Sequence, residues 1–147
     1  MKTTRLFTVI MLVLATVFTA QAGNDKPISF EQLPEASKKF IRKYFNEQEI
    51  SYSKMEREFF SKSYEVFFTD GSNIEFDKNG QWEKIDCRKK EIPAGIVPEK
   101  IVSFVTRSHP QHKIVEIEKE RRGYEIQLDN DIEIRFDSKF NVVGYDD

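Results

Sequence analysis

Two stretches of alternating apolar residues bound what this chain can form. In the first, Tyr64, Val66 and Phe68 fall on every second position, and Ile74 and Phe76 resume the pattern. A period of two sets one row of side chains on one face of a sheet. Asp70-Gly71 stands at the reversal, where glycine accepts the positive φ of a tight turn. About sixty residues later the pattern returns at Tyr124, Ile126 and Leu128, then Ile134, Phe136 and Asp137, a spacing wider than most solenoid repeats. It is read as a duplicated small domain.

The start of the chain belongs to export rather than to the fold. Lys2 and Arg5 precede an apolar run, Leu6 to Ala20, and Ala20-Gln21-Ala22 offers the small-x-small pattern of a cleavage site. The run is about fifteen residues, short of the roughly twenty that span a bilayer. Residues 1–22 are therefore read as a signal peptide cleaved near Ala22, giving a periplasmic or secreted protein with no stable membrane insertion afterwards. Loss of Lys2 and Arg5 takes the net charge from -2 to about -4, with 25 acidic residues unchanged. That balance argues against a nucleic-acid partner, which would need a basic stripe. The chain has 13 phenylalanines, ample for a packed core even without Phe7 and Phe18 of the leader. Cys87 is the single cysteine, so stability must come from packing rather than a disulfide. A half-buried place at a strand end is its expected role.

Gly23 to Ile28 is read as a flexible lead-in. Ser29 and Gln32 fit a capping box, and Leu33-Pro34 opens the main helix, with Leu33, Ala36, Phe40, Ile41, Tyr44 and Phe45 on its apolar face. Ser37, Lys38, Lys39, Arg42 and Lys43 are assigned to its solvent side. Strands follow over Ile50 to Glu58, in the hairpin, and over Trp82 to Cys87, with Asp77 to Gly80 as a turn. Arg88 to Glu91 joins the halves. Leu33-Pro34-Glu35 then matches Val97-Pro98-Glu99, Phe40-Ile41 matches Phe104-Val105, and Ile50 matches Ile114, all at one offset. His109-Pro110 ends the second helix. Strands are expected from Val115, after Arg121 to Gly123, and at Val142 to Tyr145. The expected fold is α+β: a tandem duplication, residues 23–90 and 91–147, each half a helical segment packed on one face of a four-stranded antiparallel sheet. The other sheet face is left open to water. Phe67, out of phase with its neighbours, is expected on that face as a binding-surface residue. Trp82 and Tyr52 are unassigned candidates to join it.

The ordered set Leu33, Pro34, Phe40, Ile41, Tyr64, Val66, Gly71, Ile74, Phe76, Asp77, Gly80 and Trp82, behind a leader and echoed in the second half, resembles the PepSY-like, beta-lactamase-inhibitor-like family of exported Bacteroides-type proteins. The resemblance implies tandem halves of this kind and a periplasmic or secreted setting. It carries over no catalytic or contact residue.

Enzymatic machinery is not visible. His109 and His112, with Glu116, are too few and too broken by Pro110 for a good zinc set. Asp129, Asp131 and the Asp77-Lys78-Asn79-Gly80 turn lack the full ligand series of a calcium loop, and turn chemistry accounts for them. No nucleophile elbow, phosphate loop or dinucleotide fingerprint occurs. No catalytic residue, metal or cofactor is therefore expected. The reading is a non-enzymatic exported module that engages an envelope or secreted protein through its open sheet face. The alternative is a carrier or sensor holding a small ligand or peptide between two lobes.

Overall fold

The computed structural model describes residues 24–146. The expected leader and its cleavage site lie outside them. Nine antiparallel strands form one sheet in sequence order: β1 (Lys26–Pro27), β2 (Ile50–Glu58), β3 (Ser61–Phe68), β4 (Asn73–Phe76), β5 (Trp82–Asp86), β6 (Ile114–Glu120), β7 (Gly123–Leu128), β8 (Glu133–Asp137) and β9 (Val142–Asp146). Two helices, α1 (Glu35–Tyr44) and α2 (Glu99–Ser108), interrupt the strands.

Each helix starts after a proline, with a glutamate in the first turn and a basic residue in the last, which suits the helix dipole at both ends. α1 buries Ile41 and sets Phe40 edge-on to Phe76, with ring centroids 6.0 Å apart. Phe45, just past α1, stacks on Phe68. α2 buries Ile101 and Val105 and sets Phe104 edge-on to Phe136 at 5.5 Å. Strand pairing puts Phe76 and Phe136 on the same side of the sheet, so both helices cover that side.

The sheet's inner side is held by one row. Val66, Ile74, Ile85, Ile117, Ile126 and Ile134 are direct neighbours across six strands, and all are fully buried. This row corrects the expected architecture. There are not two four-stranded sheets, each with its own helix, because β5 pairs with β6 through Ile85↔Ile117. The charged segment after β5 is not a linker between lobes. The Cys87 amide donates to Val115 O and the Ile92 amide to Ile114 O, both at 2.9 Å, while Ile92 and Ile96 enter the common core. Two separate sheets would have left the facing edges of β5 and β6 with unpaired amides and carbonyls. Joining them satisfies those groups and merges the apolar faces.

Two local expectations also change. The lead-in is not free, since Lys26–Pro27 pairs with Met55 and Lys54 at the edge of β2. Ser37 and Lys38, assigned to the solvent side of α1, are buried. Ser37 Oγ donates to Gly80 O at 3.1 Å, which ties α1 to the β4–β5 turn. Lys38 covers its stem and carries its ammonium out to Glu35 and Glu31.

Candidate functional site

The side of the sheet away from the helices carries the residues that alternate with the core rows. One row across it reads Lys54, Glu65, Glu75, Lys84, Glu118, Glu125 and Arg135, each directly opposite the next. A second reads Tyr52, Phe67, Asn73, Asp86, Glu116, Gln127, Glu133 and Asp146. Carboxylates outnumber cations on both rows. Like charges stand directly opposite at Glu65↔Glu75 and Glu118↔Glu125, which is unfavourable in a sheet.

Each cation on the face is placed against this excess. Lys54 reaches Glu65 at 3.1 Å and Asp25 at 3.0 Å, and also contacts Glu56. Lys84 lies 2.7 Å from Glu116 and 3.1 Å from Glu118. Arg135 meets Asp146 at 3.2 Å. Burial works against the Lys84 charge, yet its two carboxylate partners raise its pKa above the ordinary lysine value. Glu75 is left with the weaker share. Burial first, then repulsion from Glu65, raises its pKa despite Lys84. Glu125 is raised likewise, by burial and then by Glu133 and Glu118.

Phe67 sits half-buried on this face, beside Tyr52, which is 43% exposed; their ring centroids are 5.9 Å apart. Trp82 does not join them. It packs against the core on the helix side, under the Lys119 ammonium at 3.9 Å. A bulge between Glu75 and Phe76 opposite β5 sets that orientation, which no period-two count from Trp82 would show.

The other candidate residues are engaged locally. His112 Nδ1 lies 2.8 Å from Asp129 Oδ1, and its Nε2 is 3.3 Å from Asn130 Nδ2. His109 ends α2 with its backbone amide donating to Val105 O, and its ring lies between Phe104 and Tyr145 with Nε2 buried and without a hydrogen-bond partner among the described residues. Glu116 belongs to Lys84. Asp77 Oδ1 accepts from the Asn79 and Gln81 amides at 2.8 and 2.9 Å, which is turn chemistry. Asp131 is paired with Lys89. Among the described residues no group of three or more His, Cys, Asp or Glu is arranged to hold a metal ion. Cys87 is buried rather than half-buried. Its thiol is pushed up to about 11, first by burial and then by Asp70 and Asp86, which leaves it protonated and unreactive at neutral pH.

Residues 62–143 match the profile of a family described as "Putative beta-lactamase-inhibitor-like, PepSY-like". A solved structure from Bacteroides vulgatus ATCC 8482, described as a putative periplasmic protein from the DUF2874 family, is 40% identical with a TM-score of 0.82, over 86% of this chain and 99% of its own. A putative calcium-regulated periplasmic protein from Bacteroides thetaiotaomicron is 41% identical with a TM-score of 0.80, over 84% of this chain and 97% of its own. A further Bacteroides vulgatus protein, also described as periplasmic, is 34% identical with a TM-score of 0.78, over 84% of this chain and 99% of its own. No curated protein matches.

Proposed function

The chain belongs to the PepSY-like family, and on that premise we propose that it is a periplasmic, non-enzymatic binding module whose uncovered sheet face engages another protein of the envelope. One observation supports this above the others: both helices lie on one side, so the rows from Tyr52–Phe67 to Arg135–Asp146 stand open on the other. Aromatic rings at one end offer contact area at low entropy cost, and the ranked charges beside them set orientation. The periplasmic setting follows the descriptions of the similar Bacteroides proteins.

The alternative of a ligand held between two lobes loses its place, because Ile85 and Ile117 fill the junction. The calcium regulation named for the Bacteroides thetaiotaomicron protein is not carried over, because among the described residues no three or more carboxylates, histidines or cysteines gather around a common point.

The test is site-specific photocrosslinking in the envelope of a Bacteroides host. A benzophenone residue at Phe67 should give a discrete protein adduct, and one at Thr106, exposed on the helix side, should not. Absence of an adduct at Phe67, or the same adduct from both positions, overturns the proposal.

A further inference from the structure

The two helices meet the turns of the sheet differently. The β4–β5 turn, Asp77 to Gln81, and the β8–β9 turn, Asp137 to Asn141, carry the same bonds. In each, the aspartate Oδ1 accepts the amides two and four residues on, at 2.8 to 2.9 Å. The amide three residues on donates to the aspartate carbonyl in both. That residue has a positive φ, +81° at Gly80 and +66° at Phe140. A bulky side chain disfavours this region, and such outliers collect at functional contacts.

Gly80 lets its turn close on α1. Ser37 Oγ donates to Gly80 O at 3.1 Å, and a Cβ at Gly80 would strike Pro34 and Ser37. In α2 the place of Ser37, three residues after the proline, is held by Ile101, fully buried and without a hydroxyl to offer. The Phe140 ring turns instead onto Tyr124, nearly parallel at 5.7 Å, with the Lys100 ammonium over it. A groove of about 620 Å³ lies between α2 and this turn.

The groove is cationic with an apolar floor. Lys100, Ser103 and Arg107 share one stripe of α2, Lys139 stands opposite on the turn, and Phe104 and Val142 pack on the core beneath. Among the described residues none of the three cations has a carboxylate within ion-pair distance, whereas Lys54, Lys84 and Arg135 of the sheet face are all matched. Asp137, the acid of the turn, spends its oxygens on the Lys139 and Asn141 amides and on Asn141 Nδ2. Arg107 Nε donates back to Ser103 O at 3.2 Å, which steadies the guanidinium and leaves its outer donors free. Glu99 is the one acid of the lining, so the groove keeps a surplus of two positive charges on a chain of net charge -2. Lys100 and Arg107 are about 10 Å apart along the helix, the reach of a molecule of one or two rings. A long polyanion would need cations beyond both ends, and Glu99 repels it at one.

We propose that the groove between α2 and the β8–β9 turn is a binding site for a small organic dianion with an apolar body, an aryl phosphate or an aromatic dicarboxylate. The acidic groups meet Lys100, Arg107 and Lys139, and the body lies on Phe104 and Val142. Phe140, in the place of a glycine, keeps the turn off the helix and the groove open.

The test is titration of the purified protein with phenyl phosphate and with isophthalate, followed by amide chemical shifts. At least one should saturate, with shifts centred on Ser103, Arg107 and Lys139 to Asn141, and the tighter of the two identifies the acidic group. Inorganic phosphate should bind at least tenfold more weakly, and benzyl alcohol should not saturate. Lys100→Ala/Lys139→Ala should weaken the dianion at least tenfold, whereas Lys39→Ala/Lys43→Ala, an equal loss of charge on the exposed side of α1, should not. Phe140→Gly should weaken it as much with all three cations in place. Saturation by neither dianion overturns the proposal. So does equal binding of inorganic phosphate, or unchanged affinity in Lys100→Ala/Lys139→Ala or in Phe140→Gly. None of these outcomes bears on crosslinking from Phe67, which lies on the opposite side of the sheet.

Discussion

Gly80 shows how much one position can decide. It lies in the β4–β5 turn with φ at +81°, and a Cβ there would fall 2.7 Å from Pro34 Cβ and 2.8 Å from Ser37 Oγ. Gly80→Ala should therefore cost about 2–4 kcal/mol, from the left-handed backbone and from displacing the start of α1. The measurement is the urea midpoint; an unchanged midpoint would show that α1 does not rest on this turn. The glycine was legible in the sequence as a turn residue, but its contact with α1 was not, because helical periodicity assigned Ser37 outward. The same limit applied at Lys38, whose aliphatic stem packs while its charge escapes. At Phe67 the broken alternation was the informative signal, and the structure places it beside Tyr52 on the uncovered face. The adjacent pair Phe59-Phe60 carried a comparable signal. Two neighbouring rings in a strand cannot share one face, so one of them had to leave the core side.

Strands and helices were largely readable one by one, since alternation and capping are local. β2 spans Ile50–Glu58 as its sequence suggests, and α2 stops at Ser108 before His109-Pro110. β1 escaped notice because two residues carry no period. The charged row across the face was visible only as scattered outward glutamates, since register, not composition, brings Glu65 opposite Glu75. That juxtaposition has a pH signature. Glu75 has its pKa raised by burial and then by Glu65, so the folded chain binds more protons there than the unfolded one. Its contribution to stability falls as pH rises from near 4.5 upward. Glu75→Gln should accordingly stabilise the protein at pH 7, by less than about 1 kcal/mol given partial solvent screening, with the gain gone below about pH 4. Urea titrations of both forms at the two pH values check this. A gain of equal size at acid pH would show that side-chain volume, not charge, is responsible.

Over the whole molecule, the sequence pattern specified which side of each strand is apolar but not which edges meet. That is why two lobes were expected where one sheet forms. Period two assigns faces, whereas edge pairing depends on a connection, here Arg88 to Ile96, whose buried isoleucines are hidden in a charged context. Eight strands from β2 to β9 stand roughly 34 Å across at ordinary spacing. A partner spanning that width is held at fixed geometry only if the β5–β6 junction does not open. Continuity of the isoleucine row predicts that it does not. Trp82 reports on the first part of the sheet, and Ile126 lies in the second. Ile126→Ala should remove about 2–5 kcal/mol. In a single cooperative unit it should lower the Trp82 fluorescence midpoint and the far-UV circular dichroism midpoint together. In a two-lobed molecule the Trp82 midpoint would hold while circular dichroism split into two steps. Ile126 is joined to β5, the strand of Trp82, through the pairs Ile126↔Ile117 and Ile117↔Ile85, so coincident shifts would run through the paired strands and their shared core. The open face would then present itself to a partner as one rigid surface rather than two hinged ones.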